Sequence, residues 1–204
     1  MTVTIRKAAA ADRARVLALI LAEHEDRLPE HVRARQGFLQ GRWDESRLAA
    51  LEDGPGIFLA EEDGELAGLA VTADGRGAGV DEGPPRLTVA AAGGTASCGA
   101  TEPILLYGPV VVGPRFRGRG LVRLLLAEIG LRLGDRFDRA ALFVEQSNRT
   151  SMAVHRRLGM HEHGEFTFAG RGYTVFIFQP GAYAPARDTS RQGQAPPATD
   201  AGKG

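Results

Sequence analysis

The stretch VVVGPRFRGRGL, from Val110 to Leu121, decides the fold of this chain of 204 residues. In it an apolar strand runs directly into a loop with two glycines, and an apolar helical pattern follows over Leu121–Leu133. The first turn of a helix has unpaired N–H groups and a partial positive charge, and amides turned by glycine form an anion-binding nest in the same way. Three arginines add positive charge: Arg115, Arg117 and Arg119. The stretch therefore predicts a phosphate or pyrophosphate site at the start of a helix.

The residues after the last glycine of this loop exclude two common nucleotide-binding motifs. A Walker A loop needs Lys and then Ser or Thr, whereas Leu121 and Val122 follow Gly120. A dinucleotide fingerprint needs a third small residue at the position that Arg123 occupies. Taken alone, the loop is also compatible with two turn glycines beside a solvated basic surface.

Two motifs together resemble one enzyme family. The pattern Arg-x-x-Gly-x-Gly at Arg115–Gly120 closely resembles the acetyl-CoA signature of the GCN5-related N-acetyltransferases (GNAT). Downstream, Asn148-x-x-Ser151-x-x-x-His155-x-x-x-Gly159-Met160 is similar to the family's second motif, Asn-x-x-Ala-x-x-x-Tyr-x-x-x-Gly-Phe. The likeness covers about residues 1–179, while the specific motifs lie within Val110–Met160.

The remaining pattern predicts a mixed α/β fold, in the order β-α-α-β-β-insertion-β-α-β-α-β-β. The hairpins require antiparallel pairing and the crossovers require parallel pairing. Proline in the central strand predicts a bulge or splay at Gly108-Pro109. The GNAT resemblance implies a centrally splayed β-sheet flanked by helices. Strands are predicted at Thr2–Arg6, Ile57–Glu61, Glu65–Thr72, Ile104–Val112, Ala140–Val144, Phe166–Phe168 and Tyr173–Gln179. Helices are predicted after Asp12 and at Glu30–Leu39, Asp44–Glu52, Leu121–Leu133 and Asn148–Leu158.

Two segments depart from this pattern. Residues 73–102 form a glycine-rich insertion, for which we expect a mobile segment with one short strand at Arg86–Ala91. After residue 179 the composition is rich in Pro, Gly, Ala, Ser and Gln, so we expect a disordered tail over residues 180–204. The domain is therefore predicted to span residues 1–179.

Composition narrows the function classes. The chain has 25 basic and 25 acidic residues, so its net charge does not favour nucleic acid or an anionic membrane as a partner. The single Cys98 excludes a disulfide framework and a multi-cysteine zinc site, and no metal is expected. The sequence shows neither a signal peptide nor an apolar stretch of membrane-spanning length. A cytoplasmic enzyme is the expectation.

The resemblance implies a cofactor, acetyl-CoA, and the residues that hold it. Backbone amides near Val110 and Val112 would pair with the pantetheine arm between the splayed strands and polarise the acetyl carbonyl. Asn148 would contact the cofactor or cap its helix, and the two roles are compatible. The implied cofactor-binding residues are Val110, Val111, Val112, Arg115, Phe116, Arg117, Gly118, Arg119, Gly120, Leu121, Asn148 and Ser151.

Three residues are candidates for the chemical step. His155 stands where the family has Tyr, so it would protonate the departing thiolate, unless solvent supplies the proton or His155 is only a polar neighbour. Glu145, after the second splayed strand, is the candidate general base. Tyr107, beside the bulge, could orient water or substrate. For Glu145 and Tyr107 a structural role is the alternative.

The resemblance implies an acceptor that is a small-molecule amine or the amine of a peptide. The resemblance implies that a helix–loop–helix region shapes the acceptor pocket, and the acidity of its charged run would suit a cationic amine, with a solvated face as the alternative: His24, Glu25, Asp26 and His31. A non-catalytic acyl-CoA-binding or sensing module remains the alternative function. An RNA-binding role for the basic loop lacks interleaved aromatics and net positive charge. A homodimer is left open.

Overall fold

The computed structural model describes residues 2–77, 83–93 and 103–186. These residues form a seven-stranded sheet in the order β1-β2-β3-β4-β5-β7-β6. The strands are β1 (Val3–Lys7), β2 (Gly56–Glu62), β3 (Glu65–Asp74), β4 (Ile104–Val112), β5 (Arg139–Glu145), β6 (His161–Phe168) and β7 (Arg171–Phe178). The helices are α1 (Arg13–Ala22), α2 (Glu30–Gln36), α3 (Glu45–Glu52), α4 (Gly83–Ala91), α5 (Leu121–Leu133) and α6 (Arg149–Arg157).

The centre of the sheet is splayed, as the predicted fold class requires. All neighbouring strands are antiparallel except β4 and β5, which pair in parallel from Ile104↔Arg139 to Leu106↔Ala141. Beyond Leu106 the two strands are no longer paired, although both continue. The predicted bulge is confirmed, because the register between β3 and β4 shifts between Tyr107 and Val110.

Helices cover both faces of the sheet, since successive strand residues point to opposite sides. On one face α5 and α6 pack on a core that includes Phe58, Leu105, Leu142 and Phe176. On the other face α1 and α3 cover the neighbouring residues of β2 and β3. The alternation explains this division, because Ile57 and Phe58 are adjacent in sequence and belong to different cores.

The predicted strand Arg86–Ala91 is wrong, because these residues belong to helix α4. The alternation of Leu87 and Val89 resembles a strand, but a proline pair in the first turn fits a helix start, and the Thr88 hydroxyl donates to the Pro84 carbonyl four residues earlier. The helix packs Val89 on the sheet, together with Ala92 just past its end. The rest of the predicted mobile insertion, 78–82 and 94–102 with Cys98, lies outside the described residues.

The folded part of the chain extends past the predicted boundary at residue 179. Pro180–Tyr183 forms a 3₁₀ turn that packs on α5, and the Tyr183 hydroxyl donates to the Leu158 carbonyl at 2.7 Å. A Cβ on Gly130 would lie 2.4 Å from the Pro180 oxygen, so this glycine allows the close approach. The prediction of a disordered tail from residue 180 is therefore wrong for this turn, and residues 187–204 lie outside the described residues.

In the described ranges 2–77, 83–93 and 103–186, none of the helices has the length and apolar character needed to cross a membrane.

Candidate functional site

The splay leaves one edge of β4 open. The Gly113 N–H donates to the Ala67 carbonyl of β3. Along a strand, the N–H and C=O groups of successive residues point to opposite sides. The N–H and C=O groups of Val110 and Val112 therefore point the other way, into the gap where β5 has diverged. The Val112 carbonyl accepts from Arg117 Nε at 3.0 Å, and the other outward groups of this edge remain as donors and acceptors for an extended ligand.

The gap leads to the glycine loop. Gly118 and Gly120 have φ of +77° and +76°, the left-handed conformation that glycine adopts without strain. Gly120 is the N-cap of α5. Within the described part of the chain, the backbone N–H groups from Arg117 to Val122 have no hydrogen-bond partner. Six free amides at a helix start make an anion-binding nest, as the sequence predicts.

The three arginines of the loop are already paired with carboxylates. Arg117 donates to Glu23 at 2.7 Å, to Gln36 at 2.6 Å and to the Val112 carbonyl at 3.0 Å. Arg119 donates to both oxygens of Glu62, at 2.7 and 2.9 Å, and Arg115 pairs with Glu65. These carboxylates offset part of the charge of the three guanidinium groups, and the backbone amides of the loop remain as donors for an anion.

One cleft of about 1240 Å³ joins the loop, the splay and the opposite side of the sheet. It brings together every predicted catalytic and cofactor-binding residue except Arg115, whose side chain is 74% exposed and turned to Glu65. The predicted residues that line it are Tyr107, Val110, Val111, Val112, Phe116, Arg117, Gly118, Arg119, Gly120, Leu121, Glu145, Asn148, Ser151 and His155.

Asn148 caps helix α6 at the wall of this cleft. Its Oδ1 accepts from the Ser151 N–H at 3.2 Å, and its Nδ2 donates to the Phe38 carbonyl at 3.0 Å. The side chain is buried, and a Cβ on Gly37 would lie 2.9 Å from its oxygen. The capping alternative is therefore confirmed, and Asn148 also ties α6 to the segment after α2.

His155 lies on α6 with one ring nitrogen committed. Its Nδ1 is 2.8 Å from the Ser151 carbonyl, which only accepts, so Nδ1 carries the proton of the neutral ring. Burial lowers the pKa of His155 to about 4, against the Ser151 hydrogen bond, which raises it. At neutral pH the ring therefore presents an unprotonated Nε2.

Tyr107 lines the cleft, but its hydroxyl does not face it. The hydroxyl is buried and has no hydrogen-bond partner among the described residues. The ring packs edge-on against His155 and Phe178, with centroids 6.4 and 5.3 Å away. Burial raises the pKa of the hydroxyl, so it stays protonated. A ligand in the cleft meets the wall that Tyr107 helps to form rather than its oxygen.

Glu145 belongs to a charged cluster at the far end of the cleft. Arg171 donates to Glu145 Oε2 at 3.0 Å and to the two oxygens of Glu25 at 3.1 and 2.8 Å. Gln40 donates to both carboxylates, and the Ser147 hydroxyl donates to Glu145 Oε1. The Tyr173 hydroxyl donates to the Gln40 oxygen at 3.3 Å, and its pKa is raised, chiefly by burial.

The structure separates the four residues of the predicted acidic region. Glu25 lines the cleft, whereas His24, Asp26 and His31 do not. His24 bonds to the Gly41 carbonyl at 2.9 Å, and Asp26 is 83% exposed. In residues 2–77, 83–93 and 103–186 no group of three His, Cys, Asp or Glu side chains could hold a metal ion.

The geometry agrees with a family match over the central part of the chain. The model of the acetyltransferase (GNAT) family matches residues 17–160. The chain belongs to the GNAT family. Acetyl-CoA is the acyl donor of GNAT acetyltransferases. A comparison with curated proteins gives no match.

Solved GNAT structures share the fold at low sequence identity. The ribosomal-protein-S18-alanine N-acetyltransferase from Escherichia coli is 15% identical, with a TM-score of 0.58 over 92% of this chain and 98% of that one. A putative acetyltransferase from Salmonella typhimurium, solved with its cofactor acetyl-CoA, is 19% identical, with a TM-score of 0.57 over 88% and 95%. Ard1 from Thermoplasma volcanium is 13% identical, with a TM-score of 0.59 over 87% and 97%.

Two features of this GNAT cleft fit acetyl-CoA. The amide nest from Arg117 to Val122 suits a pyrophosphate, and the open edge at Val110 and Val112 suits the amides of a pantetheine arm. Sequence reasoning missed Gln40, Arg171 and Tyr173 in this cleft. Their partners are up to 146 residues away in sequence, and no local pattern indicates such contacts.

Proposed function

We propose that this protein transfers the acetyl group of acetyl-CoA to a primary amine, by direct attack in a complex that holds both substrates. One observation carries the proposal: a single cleft connects the amide nest and the open β4 edge with the carboxylate of Glu145. A donor held by the amide nest and the open β4 edge would meet an amine held near Glu145 inside the sheet. Holding two reactants in this way removes much of the entropic cost of their encounter.

The residues of the glycine loop and of the open β4 edge would bind and orient the donor. The amides from Arg117 to Val122 would hold the pyrophosphate, and the edge groups of Val110 and Val112 would pair with the arm. Acetyl-CoA would supply an activated acetyl group as a thioester. An N–H of the open edge directed at the thioester oxygen would stabilise the negative charge that develops there.

The proton balance assigns one role to Glu145. An amine that arrives as an ammonium ion first gives one proton to a base, which frees the lone pair for attack. As the nitrogen then forms its bond to the acetyl carbon and the carbon–sulfur bond breaks, the nitrogen releases a second proton to water and the sulfur gains one. Glu145 is the carboxylate in the cleft that we assign to receive the first proton. Both of its oxygens already accept hydrogen bonds, so an amine must replace one of the present donors to reach it.

The proton that the sulfur gains, in our proposal, comes from water rather than from His155. The neutral ring carries its proton on Nδ1, and at pH 7 a group with a pKa of about 4 is doubly protonated in roughly one molecule in a thousand. A thiol with a pKa of ~8.5 is an undemanding leaving group that water can protonate. His155 Nε2 would then serve as a hydrogen-bond acceptor in the wall of the cleft.

Ligand-induced stabilisation and thiol release test this function together. Acetyl-CoA should raise the melting temperature, whereas NAD should not, because the loop lacks the third dinucleotide glycine. With a panel of primary amines, free thiol should appear only when both substrates are present. Stabilisation without thiol release for any amine would support the acyl-CoA-sensing alternative, and stabilisation by NAD alone would overturn both.

A further inference from the structure

The acceptor end of the cleft holds a guanidinium between two carboxylates. Arg171 Nη1 lies 2.8 Å from Glu25 Oε2, 3.1 Å from Glu25 Oε1 and 3.0 Å from Glu145 Oε2. One nitrogen thus donates toward three carboxylate oxygens that come from two different elements. A position surrounded by three carboxylate oxygens suits a cation with several N–H donors.

The two carboxylates and the arginine differ in how they are held. The Glu25 and Glu145 side chains are 15% and 13% exposed, and Gln40 donates to both of them. Arg171 is the first residue of β7, after the two-residue turn Ala169-Gly170, and its side chain is 44% exposed. All three side chains line the cleft, and the guanidinium is the most exposed of them.

The charges at this place favour a cation even when Arg171 is elsewhere. Glu25 and Glu145 contribute two negative charges. Arg33 lies 4.0 Å from Glu25 Oε2, and among the described residues Arg171 is the cation that pairs with Glu145. A primary ammonium has three N–H donors, which matches the three oxygens that Arg171 now contacts. Ion pairs at partly exposed sites are weak, so one cation can replace the other at small cost.

We propose that Arg171 occupies, in the free protein, the place of the acceptor's ammonium group, and that the acceptor is a cationic primary amine that exchanges with Arg171 between Glu25 and Glu145. This rests on the proposed function, because it names the acceptor class of the same cleft. Alkylamines that are protonated at neutral pH are selected in this way. Aromatic amines, which are neutral at that pH, gain nothing from the two carboxylates. Arg171 is a positioning residue that sets the affinity for the acceptor.

A binding experiment tests the exchange without requiring turnover. The probe is n-propylammonium, titrated calorimetrically into the full chain saturated with free coenzyme A, which has no acetyl group to transfer, with n-propanol as the neutral probe. Three proteins are compared: the parent, Arg171→Gln, and Arg156→Gln as the control. Arg156 is also an exposed arginine in an ion pair, with Glu162, but it does not line the cleft. Circular dichroism checks that each variant is folded.

Exchange predicts about fivefold tighter binding of n-propylammonium by Arg171→Gln than by the parent, a size typical of a partly exposed ion pair. Arg156→Gln should bind like the parent, and n-propanol should gain nothing. Adding Glu25→Gln to Arg171→Gln should abolish the gain. Equal or weaker binding by Arg171→Gln, or a gain that survives Glu25→Gln, overturns the proposal.

The same proteins separate this proposal from the proposed function. If Arg171→Gln binds the ammonium more tightly and yet no amine releases thiol, the cation exchange stands and acetyl transfer fails. If thiol is released but the KM for n-propylamine is unchanged in Arg171→Gln, transfer stands and the exchange fails. When both hold, the KM for n-propylamine falls about fivefold while the KM for aniline is unchanged.

Discussion

At the scale of single residues, the anion nest depends on two glycines rather than on the arginines around them. No heavy atom lies within 4 Å of a Cβ built on Gly118 or Gly120, so their role is conformational rather than steric. The arginines instead connect the loop to its neighbours, since Arg117 bonds to α2 and to the residue after α1. An unfavourable charge in the loop should therefore act directly on the ligand.

Gly120→Asp should abolish acetyl-CoA binding, because it sets a carboxylate where the pyrophosphate belongs. Asn and Asp tolerate the left-handed conformation at this position, with φ of +76°, better than other side chains do. Gly120→Asn is the matched control, since it has the same shape without the charge. Calorimetry should show a far larger loss for Asp than for Asn. Equal losses would assign the effect to bulk, and unchanged affinity in a folded Asp variant would locate the site elsewhere.

His155→Phe should keep kcat within about fivefold of the parent, because water rather than the imidazole protonates the leaving sulfur. Loss of a true general acid typically costs ~10²- to 10⁴-fold. Steady-state kinetics between pH 6 and 8 measure the difference, with His155→Tyr for comparison. A loss of a hundredfold in the Phe variant that the Tyr variant restores would return the acid role to this position. Weaker acetyl-CoA binding would instead make His155 a cofactor contact.

At the scale of elements, local patterns identify the strand–loop–helix unit well. β4, the glycine loop and α5 follow from consecutive residues, so the sequence predicts them closely. The strand at Arg86–Ala91 fails because the alternation of Leu87 and Val89 fits a strand, whereas the residues that are actually buried, Thr88 and Ala92, are four apart as on one helix face. The Glu25–Arg171–Glu145 cluster could not be predicted, because its residues meet only after the sheet has formed.

The turn after β7 should contribute to stability through its contact with α5. Gly130→Ala places a methyl group 2.4 Å from the Pro180 oxygen and 2.8 Å from the Ala184 nitrogen, so the turn must move. Overpacking of this kind costs about 1–3 kcal/mol. Urea unfolding measures the loss. Deletion of residues 187–204 is the comparison and should change neither stability nor acetyl-CoA affinity, whereas deletion from residue 180 should destabilise the protein.

At the scale of the whole molecule, the stability of the protein should fall as the pH drops below 6.5. Unfolded His155 gains a proton near pH 6.5, while the folded residue resists it down to about pH 4 because it is buried. The unfolded state therefore binds more protons in this window, and the linkage amounts to about 2 kcal/mol between pH 7.5 and pH 5. Unfolding of His155→Phe should be less dependent on pH by that amount.

The control for this pH dependence is a second histidine variant. His163 is exposed on β6, so His163→Gln should keep the pH dependence of the parent. If the parent and His155→Phe lose stability equally between pH 7.5 and pH 5, His155 does not resist protonation and our assignment of its neutral state fails. Asp12, whose pKa is held low mainly by Arg6, loses its contribution only in stronger acid.

The short pairing between β4 and β5 also has a mechanical consequence. Two half-sheets, β1–β4 and β5–β7, are joined by three backbone positions, and the core under α5 holds them together with side chains. This short pairing can open while each half-sheet stays folded, so it forms a boundary between two cooperative units. A ligand bound between the two half-sheets would hold them together. Amide exchange at Ile104–Leu106 and Arg139–Ala141 should slow more on binding acetyl-CoA than exchange at the β2–β3 hairpin.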